Sequence, residues 1–451
     1  MGALETIGSQ NEKQYGNSHD WEIMKNHDPR EQVRGLHQIL TSDKKRVGFL
    51  FGAGTSYATG LNGAFVPAVT EMTRVIVQNV TNQSPALAAA IADITVELSN
   101  AKIAFNIETL LSSIESKRAV IGVGTLNGLD AQGFANLSKL VKEEVVKLVS
   151  IHDQLRVTAD RRKLSHAQFS NWIQKARRRF PAEIFTTNYD YLFEMSLEGS
   201  GIPYFDGFSG GFEPFFCPEA VEDVEAYPHL VKLWKMHGSL GWSFRETDQA
   251  VIRQHTQDTD AASTLIYPSH LKYNSSKKQP YVGLIDRLCT FLQQDDAVLI
   301  TCGYSFGDNH INERIVTSLR RGANSHVFAL YYDEVPDAAG GRSYGLSDEA
   351  NVIRVMATQE TGGKMSVYGR RHAVIGGKFG TWRLRDEPKK IESTRIDLYF
   401  DEDAAAPSLT PGQQQGDEHW EGTGQFLLPD FRKLADFLND MSSSNGSPMA
   451  I

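Results

Sequence analysis

Cysteine is scarce in this chain: Cys217, Cys289 and Cys302 are the only three among 451 residues, and none belongs to a Cys-x-x-Cys pair. That spacing excludes a disulfide framework and a four-cysteine zinc centre built from one chain. The simplest reading is three small apolar residues, Cys289 on a helix and Cys302 in a strand. Long hydrophobic runs are missing too; none approaches the roughly 20 residues needed to cross a bilayer. The polar N-terminus has no signal-peptide core, so a cytoplasmic protein without a membrane anchor is expected. Positive charge is in deficit. The net charge of −9 and the pI of about 5.8 argue against a broad nucleic-acid-binding surface. One glycine is also absent: the apolar run Val47–Phe51 leads into Gly52-Ala53-Gly54-Thr55-Ser56, but Tyr57 stands where the dinucleotide fingerprint has its third glycine. That departure speaks against hydride transfer.

What the chain does have is alternation. Runs of strand character (Val47–Phe51, a piece beginning at Glu183-Ile184, Leu230–Trp234, Ala297–Thr301 and Val327–Tyr332) are separated by stretches whose apolar residues recur at helical spacing. Strands alternating with helices give a mostly parallel sheet with ligands at the strand C-ends, so the fold class is α/β with a Rossmann-type parallel sheet. Between about residues 66 and 180 the pattern is almost wholly helical, an insertion too long for a simple crossover. Its helices read as Val66–Val80, Ala86–Leu98, one capped by Asn106, Gln132–Leu155 and Ser165–Arg179, forming a small lobe over the cleft. Three units follow: a polar leader over 1–29, a core over 30–336, and an appended assembly or partner region over 337–451. The last is rich in short strand-like pieces, Val352–Met356 among them, with a stretch Phe426–Met441 that ends in a helix, and then a disordered end. The loop between Gly199 and Pro228 carries Phe205, Phe208, Phe212, Phe215 and Phe216, too aromatic to be only solvated.

Four short motifs come just after four of these strands: Gly52-Ala53-Gly54-Thr55-Ser56, Thr186-Thr187-Asn188-Tyr189-Asp190, His237-Gly238, and Gly303-Tyr304-Ser305. A strand, a glycine turn and a helix let backbone N–H groups approach a phosphate with no Cβ in the way. In this order the four motifs resemble the sirtuin fold, and more closely the bacterial SIR2-like NADases of anti-phage defence, over about residues 46–335. The resemblance implies NAD+ as substrate, cleaved to nicotinamide and ADP-ribose by an NAD-depleting effector of abortive infection. By the same resemblance Gly52, Ala53, Gly54, Thr55 and Ser56 would meet the pyrophosphate, with Thr187 also on the cofactor. Asn188 and Asp190 would surround the nicotinamide ribose and amide, Asn188 orienting the ribose or the attacking water. His237 would act as general base on the ribose hydroxyls, and Gly303, Ser305 and Asp308 would hold the adenosine side. A homo-oligomer is implied, and in some members a HerA-like ATPase partner.

Two departures bear on the chemistry. Sirtuin deacylases carry two zinc-binding cysteine pairs between the histidine and the later glycine–serine motif; here that interval holds only Cys289 and Cys302, so no zinc is expected. Where those enzymes have Asp-Phe-Arg, the stretch Gly60-Leu61-Asn62-Gly63-Ala64-Phe65 has neither an acid nor an arginine. Both favour hydrolysis over transfer to a protein lysine. Two alternatives stand beside that reading: a protein deacylase or ADP-ribosyltransferase, and a non-catalytic module sensing NAD or ADP-ribose. The plain structural reading of the same residues has Asn188 capping a helix that starts at Tyr189, and Gly303 and Ser305 as ordinary turn residues.

Overall fold

Strand β2 (Arg46–Phe51) is apolar on both faces because both faces are covered. It lies near the middle of a ten-stranded sheet seen in a computed structural model that describes residues 25–61, 63–155, 159–176, 178–223, 225–245, 247–248, 250–254, 279–322, 324–336, 341–388, 395–402 and 421–444. Most of the leader, the apolar piece at 265–268, the polar stretch over 404–420 and the last seven residues lie outside the described residues. The other strands are β1 (Lys25–His27), β3 (Glu183–Thr186), β4 (Tyr204–Phe205), β5 (Val231–Lys235), β6 (Ala297–Cys302), β7 (His326–Leu330), β8 (Met365–Tyr368), β9 (His372–Ile375) and β10 (Lys378–Trp382). Their order across the sheet is β1-β10-β9-β8-β7-β6-β2-β3-β5-β4. Every neighbouring pair is parallel except the two that β9 makes with β8 and β10.

Helices cover the two faces. On one, Val33, Leu36 and Leu40 of α1 (Pro29–Thr41) pack with Val47, Phe49 and Phe51. On the other, Leu284, Leu288 and Phe291 of α2 (Tyr281–Gln293) and Ile311, Ile315 and Leu319 of α3 (Asn309–Arg321) cover Leu50, Phe185 and Leu299. The segment between β2 and β3 is helical, as its periodicity predicts, with long helices at Val69–Thr81, Pro85–Asn100, Ile107–Val120 and Ala131–Val149 around a core of their own. Asn106 starts the third with a capping box, accepting from the Thr109 amide while the Thr109 hydroxyl accepts from its own.

Three findings differ from the pattern read off the sequence. Val352–Val355 is a helix rather than a strand; the Asn351 side chain caps it by accepting from Ile353 N at 3.1 Å. The phenylalanine-rich stretch is structured. Phe205 ends β4, and Phe208–Ser209 and Phe215–Phe216 join Trp242–Arg245 and Ala250–Arg253 in a second, four-stranded sheet. The chain beyond residue 337 supplies β8, β9 and β10 to the large sheet, and its terminal helix α4 (Phe431–Ser444) packs along Ser165–Ala176 in the same core as β2. Among the described residues no helix is long and apolar enough to cross a membrane.

Candidate functional site

The parallel register brings the four motifs to one edge. Cys302 pairs with Phe51, Phe51 with Thr186, and Thr186 with Lys235, so β6, β2, β3 and β5 end in one row and their following loops leave side by side.

In the first loop the glycines allow close approach between chains. A Cβ on Gly52 would fall 2.6 Å from the Gly303 carbonyl oxygen, and one on Gly54 would fall 2.7 Å from Gly303 Cα. Gly303 has φ +64° and faces the Thr55 amide, so two bare backbones meet here. Gly52 N donates to Cys302 O at 3.3 Å and Gly54 N to Gly303 O at 2.9 Å. These two amides, expected at a phosphate, thus seal the contact between loops. Ala53 is exposed, Thr55 and Ser56 are buried, and Thr55 Oγ1 donates back to Gly52 O at 2.9 Å.

The second loop grips the first. Asn188 Nδ2 faces Gly52 O at 3.0 Å, Thr55 Oγ1 at 3.0 Å and Ser56 Oγ at 2.6 Å. Ser56 in turn donates to Asp190 Oδ2 at 2.5 Å, while Asp190 Oδ1 accepts from Leu192 N at 3.0 Å and starts the helix Leu192–Gly199. Asn188 therefore caps no helix: Tyr191 stands at the helix N-terminus, Asp190 just before it accepts from the first helical amide, and the helix starts three residues later than Tyr189. With its amide donors committed to the turn, Asn188 can offer a ligand the amide carbonyl oxygen. Thr187 contributes its backbone amide to Phe51 O at 3.1 Å.

The third and fourth loops meet each other. His237, 6% exposed, stands 3.1 Å through Nε2 from Asp308 Oδ2. Asp308 uses Oδ1 to cap α3, accepting from His310 N at 3.0 Å, so the carboxylate that faces the imidazole is itself held by a helix start. Ser305 is exposed and its hydroxyl accepts from Gly307 N at 3.3 Å. The loop from Gly303 to Asp308 therefore touches the glycine turn at one end and His237 at the other.

Residues not singled out from sequence brace that loop. Asn312 donates to Phe306 O at 2.7 Å and accepts from Tyr304 Oη at 3.2 Å. Burial, with the Asp308 carboxylate nearby, pushes the Tyr304 phenol up and keeps it a donor. Phe306 holds φ +58°, an uncommon conformation for a bulky residue, in a buried position. Asn312 had one faint signal, its place one helical turn after Asp308. Lys235, buried beneath the Asn188 loop, and Glu194, partly buried beside it, gave none beyond a lysine closing an apolar strand.

Among the described residues no group of three or more His, Cys, Asp or Glu side chains is arranged to hold a metal ion. Two pockets of about 240 and 370 Å³ lie away from the four loops. The smaller is lined by Ala182 and Val231 at the opposite ends of β3 and β5, and the larger by Phe215 and Val251 of the small sheet.

Residues 182–351 match the family model of the SIR2-like domain. That span holds Asn188, Asp190, His237, Gly303 and Asp308, but less than half of the chain and not the glycine turn. No curated protein matches the sequence. Among solved structures, a SIR2 homolog–NAD complex is similar at 12% identity, covering 68% of this chain and 85% of that one, with a TM-score of 0.30, too distant to carry a residue's role across. The part of this chain that builds three of the four loops is thus similar to a SIR2-like domain.

Proposed function

We propose that the protein is an NAD+ glycohydrolase that releases nicotinamide and ADP-ribose. The observation that carries the reading is the Gly303–Asp308 loop, which joins the Ser56–Asn188–Asp190 network to the His237–Asp308 pair along one sheet edge. The similarity of residues 182–351 to a SIR2-like domain supports it.

The chemistry asks little covalently of the protein. The bond from ribose C1′ to the cationic nicotinamide nitrogen breaks with its electron pair going to nicotinamide, which leaves neutral and needs no general acid. Positive charge develops on the ribose, and a buried carbonyl oxygen such as that of Asn188 meets it favourably. Water completes C1′ and loses a proton. His237, oriented by Asp308, is the base of this site, and a positioned base typically contributes about 100- to 10,000-fold. Asp190 has both oxygens occupied by Ser56 and Leu192, so its part is to fix the Asn188 network.

Depletion of NAD+ as a defence against phage, in a homo-oligomer or with a HerA-like ATPase, is the cellular setting that the sequence resemblance supports. Purified protein, alone and with any ATPase encoded beside it, should release nicotinamide from NAD+ in a chromatographic assay, and His237→Ala should abolish the release while retaining the fold. Absence of nicotinamide in every assembly state, or full activity in His237→Ala, refutes the proposal.

A further inference from the structure

Lys235 is the last residue of β5, two before His237, and its side chain is 3% exposed. Its ammonium has three protons and meets three acceptors: Glu194 Oε1 at 2.8 Å, Tyr189 O at 3.3 Å and Asp190 O. The two carbonyls belong to the two residues that directly follow Asn188. The strand carrying the imidazole is therefore tied, through one side chain, to the loop carrying the amide. Two backbone bonds run alongside, from Met236 N to Thr186 O at 2.9 Å and from Leu240 N to Tyr189 O at 3.1 Å. Tyr191 closes the cluster, its ring 5.3 Å from the ammonium and its hydroxyl so near Gly241 that a Cβ there would lie 2.1 Å away.

A stability role explains this cluster poorly. Burying an ion pair costs desolvation of both charges, and well-packed apolar residues usually serve stability as well or better. Glu194 shows the cost: burial is the leading effect on its carboxyl, pushing it up against the pull of Lys235, and its Oε2 finds no hydrogen-bond partner. What the pair supplies that apolar residues do not is direction, two bonds from one strand end to one turn and a third to the helix that follows it. Glu194 also neutralises the ammonium beneath a site meant for a cationic nicotinamide.

We propose that Lys235, with Glu194 as its counter-ion, is a positioning residue that locks the Asn188 turn to the His237 strand and so sets the separation of those two side chains. This rests on the glycohydrolase reading for its kinetic consequence, but not for its structural one. The test compares wild type with Lys235→Met, Lys235→Arg and the double variant Lys235→Met/Glu194→Leu, all as full-length chains. Misplacement of reacting groups by about 1 Å can cost on the order of 100-fold. The double variant, which strands no buried charge, should melt near wild type yet lose about that factor in kcat with KM little changed, and Lys235→Arg should recover part of it. In parallel, amide hydrogen exchange should show residues 187–191 losing protection in the double variant. Wild-type kcat in a folded double variant, or unchanged exchange over 187–191, overturns the proposal. If wild type releases no nicotinamide the glycohydrolase reading falls, and the exchange result alone decides whether Lys235 positions the turn.

Discussion

Asn188→Asp is close to isosteric, so its effect isolates the hydrogen bonding of the site from its packing. The substitution turns Nδ2 into an oxygen that faces three oxygens, on Gly52, Thr55 and Ser56, at 2.6 to 3.0 Å. Gly52 O keeps the Thr55 amide at 3.0 Å and the Thr55 hydroxyl at 2.9 Å. Ser56 has one proton for two carboxylates, at 188 and 190. Leaving the former acceptors of the amide unpaired costs about 1–3 kcal/mol. Two carboxylates bridged by one hydroxyl lie about 5 Å apart, a repulsion of about 3 kcal/mol at an effective dielectric constant near 20. The expected loss near neutral pH is therefore about 4–6 kcal/mol, limited by how readily the new carboxyl takes up a proton. Its pKa is raised in the folded state, so the native form binds more protons than the unfolded one, and stability falls as pH rises from the unfolded value to the folded one. The penalty should be largest near pH 8 and smaller near pH 5, where the introduced carboxyl, once protonated, can donate once to the turn. Urea unfolding of wild type and variant at both pH values measures the difference. A variant within about 1 kcal/mol of wild type near pH 8, or a penalty independent of pH, refutes the donor network as described.

Two further outcomes follow from the packing. Gly54→Ala places a Cβ 2.7 Å from Gly303 Cα, backbone against backbone, and should destabilise by about 1–3 kcal/mol with the loss concentrated at the turn, seen as reduced exchange protection of residues 52–56. His166 is fully buried between the Phe193 and Phe431 rings, with both ring nitrogens unpartnered, and burial lowers its pKa from 6.5 to about 4. The folded state therefore binds fewer protons than the unfolded one over that window, and wild type should lose roughly 3 kcal/mol through this residue as pH falls from above 6.5 to below 4. His166→Phe should keep that stability, and equal acid sensitivity of the two proteins would contradict the assignment.

How far the sequence could be read depended on whether a feature was periodic or conditional. Val47, Phe49 and Phe51 alternate with Leu50 in one short run, and such a run is buried wherever it lies in a parallel sheet, so β2 and its neighbours were legible. The helix at Ile107 announced itself through Asn106 and Thr109, a local motif needing no tertiary partner. Val352–Val355 was misleading because a short run of β-branched residues around one arginine, Val-Ile-Arg-Val, fits either a strand or a helix, and only the Asn351 cap decides. At the candidate site, residue types were legible but bonds were not. Gly52 and Gly54 looked like a phosphate cradle, whereas contact with Gly303 accounts for both lost side chains. Lys235 and Glu194, 41 positions apart, become partners only once β5 lies beside β3.

The C-terminal segment shows why sequence distance from the motifs is a poor guide to relevance. Phe431 packs its ring 5.3 Å from that of Phe51, the residue just before the glycine turn, and 6.4 Å from Phe193, three residues after Asp190. Cys302, just before Gly303, approaches Pro429 O at 3.6 Å, and Gln168 reaches Asp436 at 3.0 Å to hold α4 in place. The helix α4 and the residues leading into it thus underlie the ends of β2 and β6 and the start of the helix after β3. Burying a phenylalanine contributes about 1.5–3 kcal/mol, and here that energy depends on those ends keeping their relative height. Interiors are close-packed, so a shift of α4 cannot be absorbed as slack; it must move Phe51 or Phe193 or open a cavity. The row of strand ends that carries Ser56, Asn188 and Gly303 is therefore set from below by residues near the end of the chain, as much as from above by the hydrogen bonds among the loops.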